Sequence, residues 1–390
     1  MITREQIREL AQFQVAREAS ALSFYFQPQR PQNKSHREEA ILAKDLARNA
    51  LQEAEKHGRN GGIRSDLNRI LDLAGNLHGN QARAKAVFAC AAKNLWREFD
   101  LPPILPGTQL FLNQRFHLKP LAVLLGAQPR LWVALVDRKR ARFFDVRLDE
   151  IVERAGVFHD LPRRGRSDGF GGYDAGHAER RVEDDAMHHF KNVTDRLKDG
   201  FEKGQFERLI VGCQESVWPE FEPHLHPYVR QRLLGYFSAD VASTSNDQIR
   251  EHANRILRGW QDTRRQNLVR EVLGQSQRDG NGVTGLRRVL RSLELGEVQI
   301  LLLADKFHAR AVECPHCGHL DAHLVRSCPV CSHETRELED VCDAIIPQAI
   351  RRDIELFYLK DDPDLDRVGN IGALLRFRAD QNKPAILAAS

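Results

Sequence analysis

Charge of one sign is what this sequence most lacks. Its 58 Lys and Arg stand against 54 Asp and Glu, a formal net charge of +4 over 390 residues. That balance excludes a polycationic arm or a histone-like tail and leaves nucleic-acid binding to local patches. Long apolar runs are also missing. The longest, Ile300–Ala304, is strand-sized, far below the about 18 residues that span a bilayer. The opening Met1-Ile2-Thr3-Arg4-Glu5 leads into a charged segment with no apolar signal core, so a cytoplasmic protein is expected. No HExxH, GxSxG or P-loop pattern occurs, and there is no internal repeat or low-complexity segment. A hydrophobic content of 42% argues for folded domains over disorder.

Length sets the scale of what is present. At about 150 residues per domain, the chain holds two or three. Residues 1–128 read mainly helical, with Ile41, Leu42, Leu46, Ala50 and Leu51 at helical spacing, and a short apolar element at Ala86–Ala92 is suited to a buried strand. From Leu131 the pattern changes. Leu131–Val136 is a continuous apolar run suited to a strand buried on both faces, and Ala141–Val146 returns after a charged turn. A charged helix is expected from His177 to about Lys203, then strands at Leu209–Gly212 and Leu233–Phe237. Ser245 precedes a long charged helix reaching about Gln275. A third unit repeats the alternation. Leu286, Val289, Leu290 and Leu293 form a helix stripe, followed by strand Val298–Leu303, a helix near Val341–Arg351, strand Ile354–Tyr358 and a last strand near Ala373–Phe377. Alternating strands and helices imply layered α/β domains.

Cysteine supplies the sharpest local signal. Cys90, Cys213 and Cys342 are scattered, but Cys314-Pro-His-Cys317 and Cys328-Pro-Val-Cys331 are two CxxC knuckles ten residues apart. Each knuckle converges two sulfurs from one tight turn, and four thiolates complete a tetrahedral Zn²⁺ site. A redox CxxC stands alone at a helix start, so two matched pairs point to metal. His316, His319, His323 and His333 lie close by as competing donors. With four protein ligands such a site is closed and structural. A small zinc ribbon is expected over residues 312–334.

The second signal is Arg163-Arg164-Gly165-Arg166, followed by Gly169, Gly171, Gly172 and Tyr173. Arginine forks suit phosphate oxygens, glycines let backbone approach a ligand, and an aromatic ring can stack on a base. A solvated surface loop has the same composition, and composition alone does not separate the two. The following helix carries His177, Arg180, Arg181, Glu183, Asp184, His188 and His189. These read either as ordinary helix pairs such as Arg180–Asp184 or as a second metal site of a nuclease. The hairpin Arg138-Lys139-Arg140 with Arg142 is likewise either RNA-facing or solvated.

Taken together these features resemble the archaeal and eukaryotic class I release factor and Pelota family, through its bacterial branch. The run from Gly285 to Leu303, the four-cysteine ribbon after it, and the ending Val368–Phe377 look like that family's C-terminal domain. Leu131–Phe144, the glycine loop and Arg180-Arg181 look like its middle domain, whose Gly-Gly-Gln loop enters the peptidyl-transferase centre. Leu95-Trp96 and Pro120-Leu121 are similar to the bacterial branch and not to the codon-reading domain. The resemblance implies an α/β multidomain fold: a mostly helical α/β N-terminal domain (1–128), a release-factor-type α/β middle domain (129–244), and an α/β C-terminal domain with the inserted ribbon (245–390).

The chain departs from the family at one position that matters. Gly171 and Gly172 stand where the two glycines would, but Tyr173 follows in place of Gln. Bacterial relatives without the motif include Balon-type ribosome hibernation factors. The resemblance therefore implies a monomeric ribosome-binding factor in the A site of idle or stalled ribosomes. Arg163, Arg164, Arg166, Gly171, Gly172, Tyr173, His177, Arg180 and Arg181 would contact rRNA or P-site tRNA. One structural zinc would sit on Cys314, Cys317, Cys328 and Cys331, and a translational GTPase such as elongation factor Tu would be a partner. The rival reading is a peptidyl-tRNA hydrolase working through the altered loop, since backbone amides can orient a water. The missing Gln weighs against an enzyme.

Overall fold

The computed structural model describes residues 2, 4–15, 19–27, 37–56, 62–76, 84–101, 107–127, 129–147, 150–158 and 174–379. Among them no helix is long and apolar enough to cross a membrane. The first stretch contains α1 (Arg4–Gln12), β1 (Ala21–Phe26), α2 (Arg37–Lys56), α3 (Ile63–Asn76), β2 (Ala84–Cys90), β3 (Leu95–Leu101), β4 (Gln109–Asn113) and α4 (Lys119–Ala127). Its strands form an antiparallel sheet in the order β3-β2-β1-β4. Every residue of β1 is buried, so both faces of the sheet must be covered. Leu22, Phe24, Phe26, Val87 and Ala89 pack on α2 and α3 through Ala43, Ala47, Leu67 and Ile70. Tyr25, Ala86, Phe88 and Phe99 pack the opposite way, with Ile7 and Leu10 of α1. Such two-sided burial removes the period-2 alternation that marks a strand. This is why the stretch reads as mainly helical from sequence while it holds four strands.

The second stretch opens with β5 (Leu131–Val136), β6 (Arg140–Arg147) and β7 (Glu150–Phe158). It continues with α5 (Asp174–Glu202), β8 (Arg208–Cys213), α6 (Trp218–Phe221), α7 (Pro227–Arg230), β9 (Leu233–Ser238) and α8 (Asn246–Gln277). The five-stranded sheet runs β7-β6-β5-β8-β9, with β5, β8 and β9 parallel and the rest antiparallel. Phe190, Val193 and Leu197 of α5 cover Trp132, Ala134 and Phe143 on one face. Ile249, Ala253 and Leu257 of α8 cover Leu131, Val133 and Phe144 on the other. Gly200 is what lets α5 close down, because a Cβ there would lie 2.6 Å from the Trp132 ring. The start of α8 is set by Ser245: its Oγ accepts from Gln248 N–H, and Gln248 Oε1 accepts from Ser245 N–H, a reciprocal capping box.

The third stretch contains β10 (Gly282–Thr284), α9 (Leu286–Glu294), β11 (Val298–Ala304), β12 (Ala311–Glu313), β13 (Leu320–Asp321) and β14 (Arg336–Leu338). It ends with α10 (Cys342–Arg351), β15 (Glu355–Leu359), α11 (Pro363–Arg367) and β16 (Ile371–Leu375). The main sheet is β10-β16-β11-β15, with β11 and β15 parallel; β13-β12-β14 form a small antiparallel sheet. The last strand lies two residues before its expected place because Gly369 and Asn370 turn the chain with positive φ, starting β16 at Ile371.

The chain divides into two compact units, residues 1–126 with 267–390, and 127–266. The sequence reading instead divides it at 128/129 and 244/245. Two packing facts account for the difference. α8 starts against the middle sheet but ends, through Leu268, Val269 and Val272, in the other core. That core is continuous from Ile7 and Phe88 to Leu302, Ile345 and Ala373.

Polar bonds reinforce this joint. Asn113 Nδ2 donates to Asp343 at 2.8 Å, and His117 Nδ1 lies 2.8 Å from the same carboxylate. The buried Glu313 accepts from both Arg115 and Arg336. A carboxylate buried between two guanidiniums is costly to break from one side. Glu313→Ala is expected to destabilise the unit of residues 1–126 and 267–390 by about 3–5 kcal/mol, and Glu313→Gln by less. Urea denaturation followed by intrinsic fluorescence checks this, and an unshifted midpoint in Glu313→Ala would refute it.

Candidate functional site

The four-cysteine cluster is built from two turns with the same hydrogen-bond pattern. In the first, Cys314 N–H donates to His319 O and Gly318 N–H donates to Cys314 O, each at 2.8 Å. In the second, Cys328 N–H donates to His333 O at 2.8 Å and Ser332 N–H to Cys328 O at 2.9 Å. The fifth position of each turn takes a positive φ, +74° at Gly318 and +60° at Ser332. Glycine makes that conformation free of strain at the first turn, and the second adopts it with serine.

The sulfurs converge. Cys314 Sγ lies 3.4 Å from Cys331 Sγ, Cys317 Sγ is 3.4 Å from Cys331 Sγ, and Cys317 Sγ is 3.6 Å from Cys328 Sγ. All four cysteines are free. A tetrahedron with metal–sulfur bonds of about 2.3 Å has edges of about 3.8 Å, close to the spacing seen, whereas a disulfide would bring two sulfurs to about 2 Å. The Cys317 backbone N–H aimed at Cys314 pulls that thiol down to about 6, so the cluster already favours one thiolate. The donor set fits a tetrahedral thiolate-bound ion.

Of the competing histidines, His319 is held by Glu294 at 2.8 Å and His323 by Asp321 at 3.1 Å. His316 and His333 stack face to face, with ring centroids 3.9 Å apart, and group with Cys331. Among the described residues these are the groupings able to hold a metal. The three scattered cysteines are core residues, and burial pushes the Cys213 thiol up to about 11.

Sequence reasoning missed what anchors the ribbon. Glu313, gripped by Arg115 and Arg336, immediately precedes Cys314, and His319 follows the first knuckle and is tied to α9. No local pattern announces these bonds, because Arg115 and Glu313 are 198 residues apart.

The basic loop has a different standing. Arg163, Arg164, Arg166, Gly171, Gly172 and Tyr173 lie outside the described residues. His177, Arg180 and Arg181 fall in the first turns of α5. Farther along that helix His188 is exposed and His189 is fully buried. These two therefore do not converge as the nuclease reading requires. In the β5–β6 hairpin two of the four cations are already committed. Arg138 bonds Glu220, and Arg142 bonds Glu153 at 2.7 Å and the Val241 carbonyl at 3.0 Å.

The cluster leads to a direct test. The purified chain is expected to carry close to one metal ion per molecule by inductively coupled plasma mass spectrometry, and Cys314→Ser/Cys328→Ser close to none. A strong chelator should lower the thermal midpoint of the wild-type chain but leave that of the double variant unmoved. Equal metal content in the two proteins would refute the site.

Comparison with known proteins places this geometry in context. Residues 117–258 match the family model of bacterial archaeo-eukaryotic release factor family 10. Peptide chain release factor subunit 1 of Thermococcus sibiricus is 25% identical over 310 residues, covering 71% of this chain and 74% of its own length. The protein of the same name from Archaeoglobus fulgidus is 24% identical over 312 residues, covering 74% and 75%. Among solved structures, S. cerevisiae Dom34, described as a translation termination-like factor, aligns over 75% of this chain and 79% of its own at 12% identity, with a TM-score of 0.40. The chain is homologous to archaeal peptide chain release factor subunit 1, and its residues 117–258 match the model of bacterial archaeo-eukaryotic release factor family 10.

Proposed function

We propose that this chain is a cytoplasmic ribosome-binding factor that occupies the A site of idle or stalled ribosomes. The observation that carries the reading is the pairing of release-factor homology with Gly171-Gly172-Tyr173 where the family has Gly-Gly-Gln. Arg163, Arg164, Arg166, Arg180 and Arg181 reach toward the peptidyl-transferase centre and pair with rRNA or P-site tRNA phosphates. Gly171 and Gly172 permit close approach, Tyr173 stacks on a base, and His177 lies beside them. The three stretches 1–128, 129–244 and 245–390 act as functional modules in this scheme. A translational GTPase such as elongation factor Tu is the delivering partner.

The ion on Cys314, Cys317, Cys328 and Cys331 is a structural zinc. Four protein ligands leave no open position for a substrate or water, so it supplies folding energy and no chemistry.

The second reading, a peptidyl-tRNA hydrolase, rests on the retained glycine pair. Backbone amides near Gly171 and Gly172 would orient the attacking water without a glutamine amide. Two measurements separate these readings. Co-sedimentation with 70S ribosomes is expected at low salt, with log affinity falling against log salt at a slope of about 4 for five phosphate contacts. Replacing the five arginines by alanine should abolish most of that slope; co-sedimentation indifferent to the replacement would sink the loop assignment. Peptide release from ribosome-bound peptidyl-tRNA at saturating protein is expected to stay at the background rate, and release at release-factor rates would establish the hydrolase instead.

A further inference from the structure

Helix α9 divides sharply by face. Val289, Leu290 and Leu293 are buried in the core, and this stripe fixes the helix rotation. The rotation turns Arg287, Arg288 and Arg291 outward, all three exposed. Arg287 and Arg291 stand one turn apart with Arg288 beside them, so three guanidiniums share one side of the helix. The helix contains one carboxylate, Glu294, and that is taken by His319 Nδ1 of the ribbon at 2.8 Å.

Several other arginines of the same unit are already paired. Arg310 pairs with Glu337, Arg336 with Glu313 and Arg367 with Asp364. Arg352 donates to the Leu293 carbonyl at the end of α9 itself, which adds a fourth guanidinium there. By contrast, among the described residues no carboxylate, carbonyl or ring engages the side chains of Arg287, Arg288 and Arg291.

We propose that this face of α9 is an RNA-binding surface that grips the phosphate backbone. The argument is charge complementarity. Three unneutralised planar forks on a rigid element match phosphate oxygens, which accept bidentate guanidinium bonds. A protein partner would need an apolar centre, and the only large apolar side chain exposed on or next to this helix is Leu295, at its end. The proposal deepens the ribosome reading, since it assigns a second RNA contact far in sequence from the Gly-Arg loop, and it is tested without ribosomes.

The test uses the full-length, metal-loaded chain and a fluorescein-labelled RNA hairpin of mixed sequence, followed by anisotropy at rising potassium chloride. Arg287→Ala/Arg288→Ala/Arg291→Ala is expected to weaken binding about tenfold or more at low salt and to lower the salt slope by about 2. Its thermal midpoint should not move, because no contact is lost. The triple lysine variant keeps the charge and is expected to keep the slope while losing part of the affinity. Unchanged affinity and slope in the alanine variant would overturn the assignment. So would a lysine variant as weak in slope as the alanine one, or tighter binding of a polyglutamate peptide than of the hairpin. If α9 binds the hairpin but the chain fails to sediment with ribosomes, the ribosome reading falls and this one stands. The converse result removes only α9.

Discussion

The shared hydrophobic core of residues 1–126 and 267–390 is the constraint on which that unit depends. A sheet whose central strand buries all six of its residues cannot stand with one face open. Helices α2 and α3 close one side, and the C-terminal β11 sheet with α10 closes the other, with α1 laid against α10. Each large side chain buried this way contributes about 1.5–3 kcal/mol, so the N-terminal module gains much of its stability from residues 267–390. Aromatic contacts tighten the seam: Phe13 stacks on Phe116 at 4.5 Å, and Phe111 on His117 at 3.8 Å.

The cysteine ribbon inherits its position from the same seam. Its own sheet of three short strands buries too little to hold an orientation. Turn hydrogen bonds close the knuckles on themselves, and three polar anchors then attach the ribbon to its unit. Glu313 meets Arg115, Arg336 meets Glu313, and His319 meets Glu294 on α9. The knuckle turns are thus fixed locally, while ionic bonds set where the ribbon points.

Functionally, the molecule distributes its cations instead of accumulating them. Several described arginines are neutralised by a nearby carboxylate, as Arg138 and Arg142 are in the β5–β6 hairpin, and these contribute little beyond local order. The α9 face gathers three arginines without a carboxylate partner, and the sequence gathers three more at Arg163, Arg164 and Arg166. A net charge of +4 conceals both, because binding surfaces are defined by local imbalance and not by the total.

The two CxxC pairs, the fully apolar run at β5, the Ser245 cap and the stripe of α9 are legible in the sequence because each is local: a spacing, a run, a cap, a period. The four thiolates needed only their own turns to be recognised, and the change of Gln to Tyr173 was visible from its two preceding glycines. β2 matches the apolar element read at Ala86–Ala92, but β1 was not legible, since burial on both faces erases alternation, and the partly exposed β3 and β4 were missed as well. Nor could spacing reveal that Arg115 holds Glu313, or that α8 changes cores along its length. The sequence by itself carried the set of paired cysteines, the α/β alternation and the run Gly171-Gly172-Tyr173, all encoded within a few residues. Only the tertiary structure decided which cations are neutralised and which segments share a core, because partners in three dimensions are chosen by packing between residues that the chain places hundreds of positions apart.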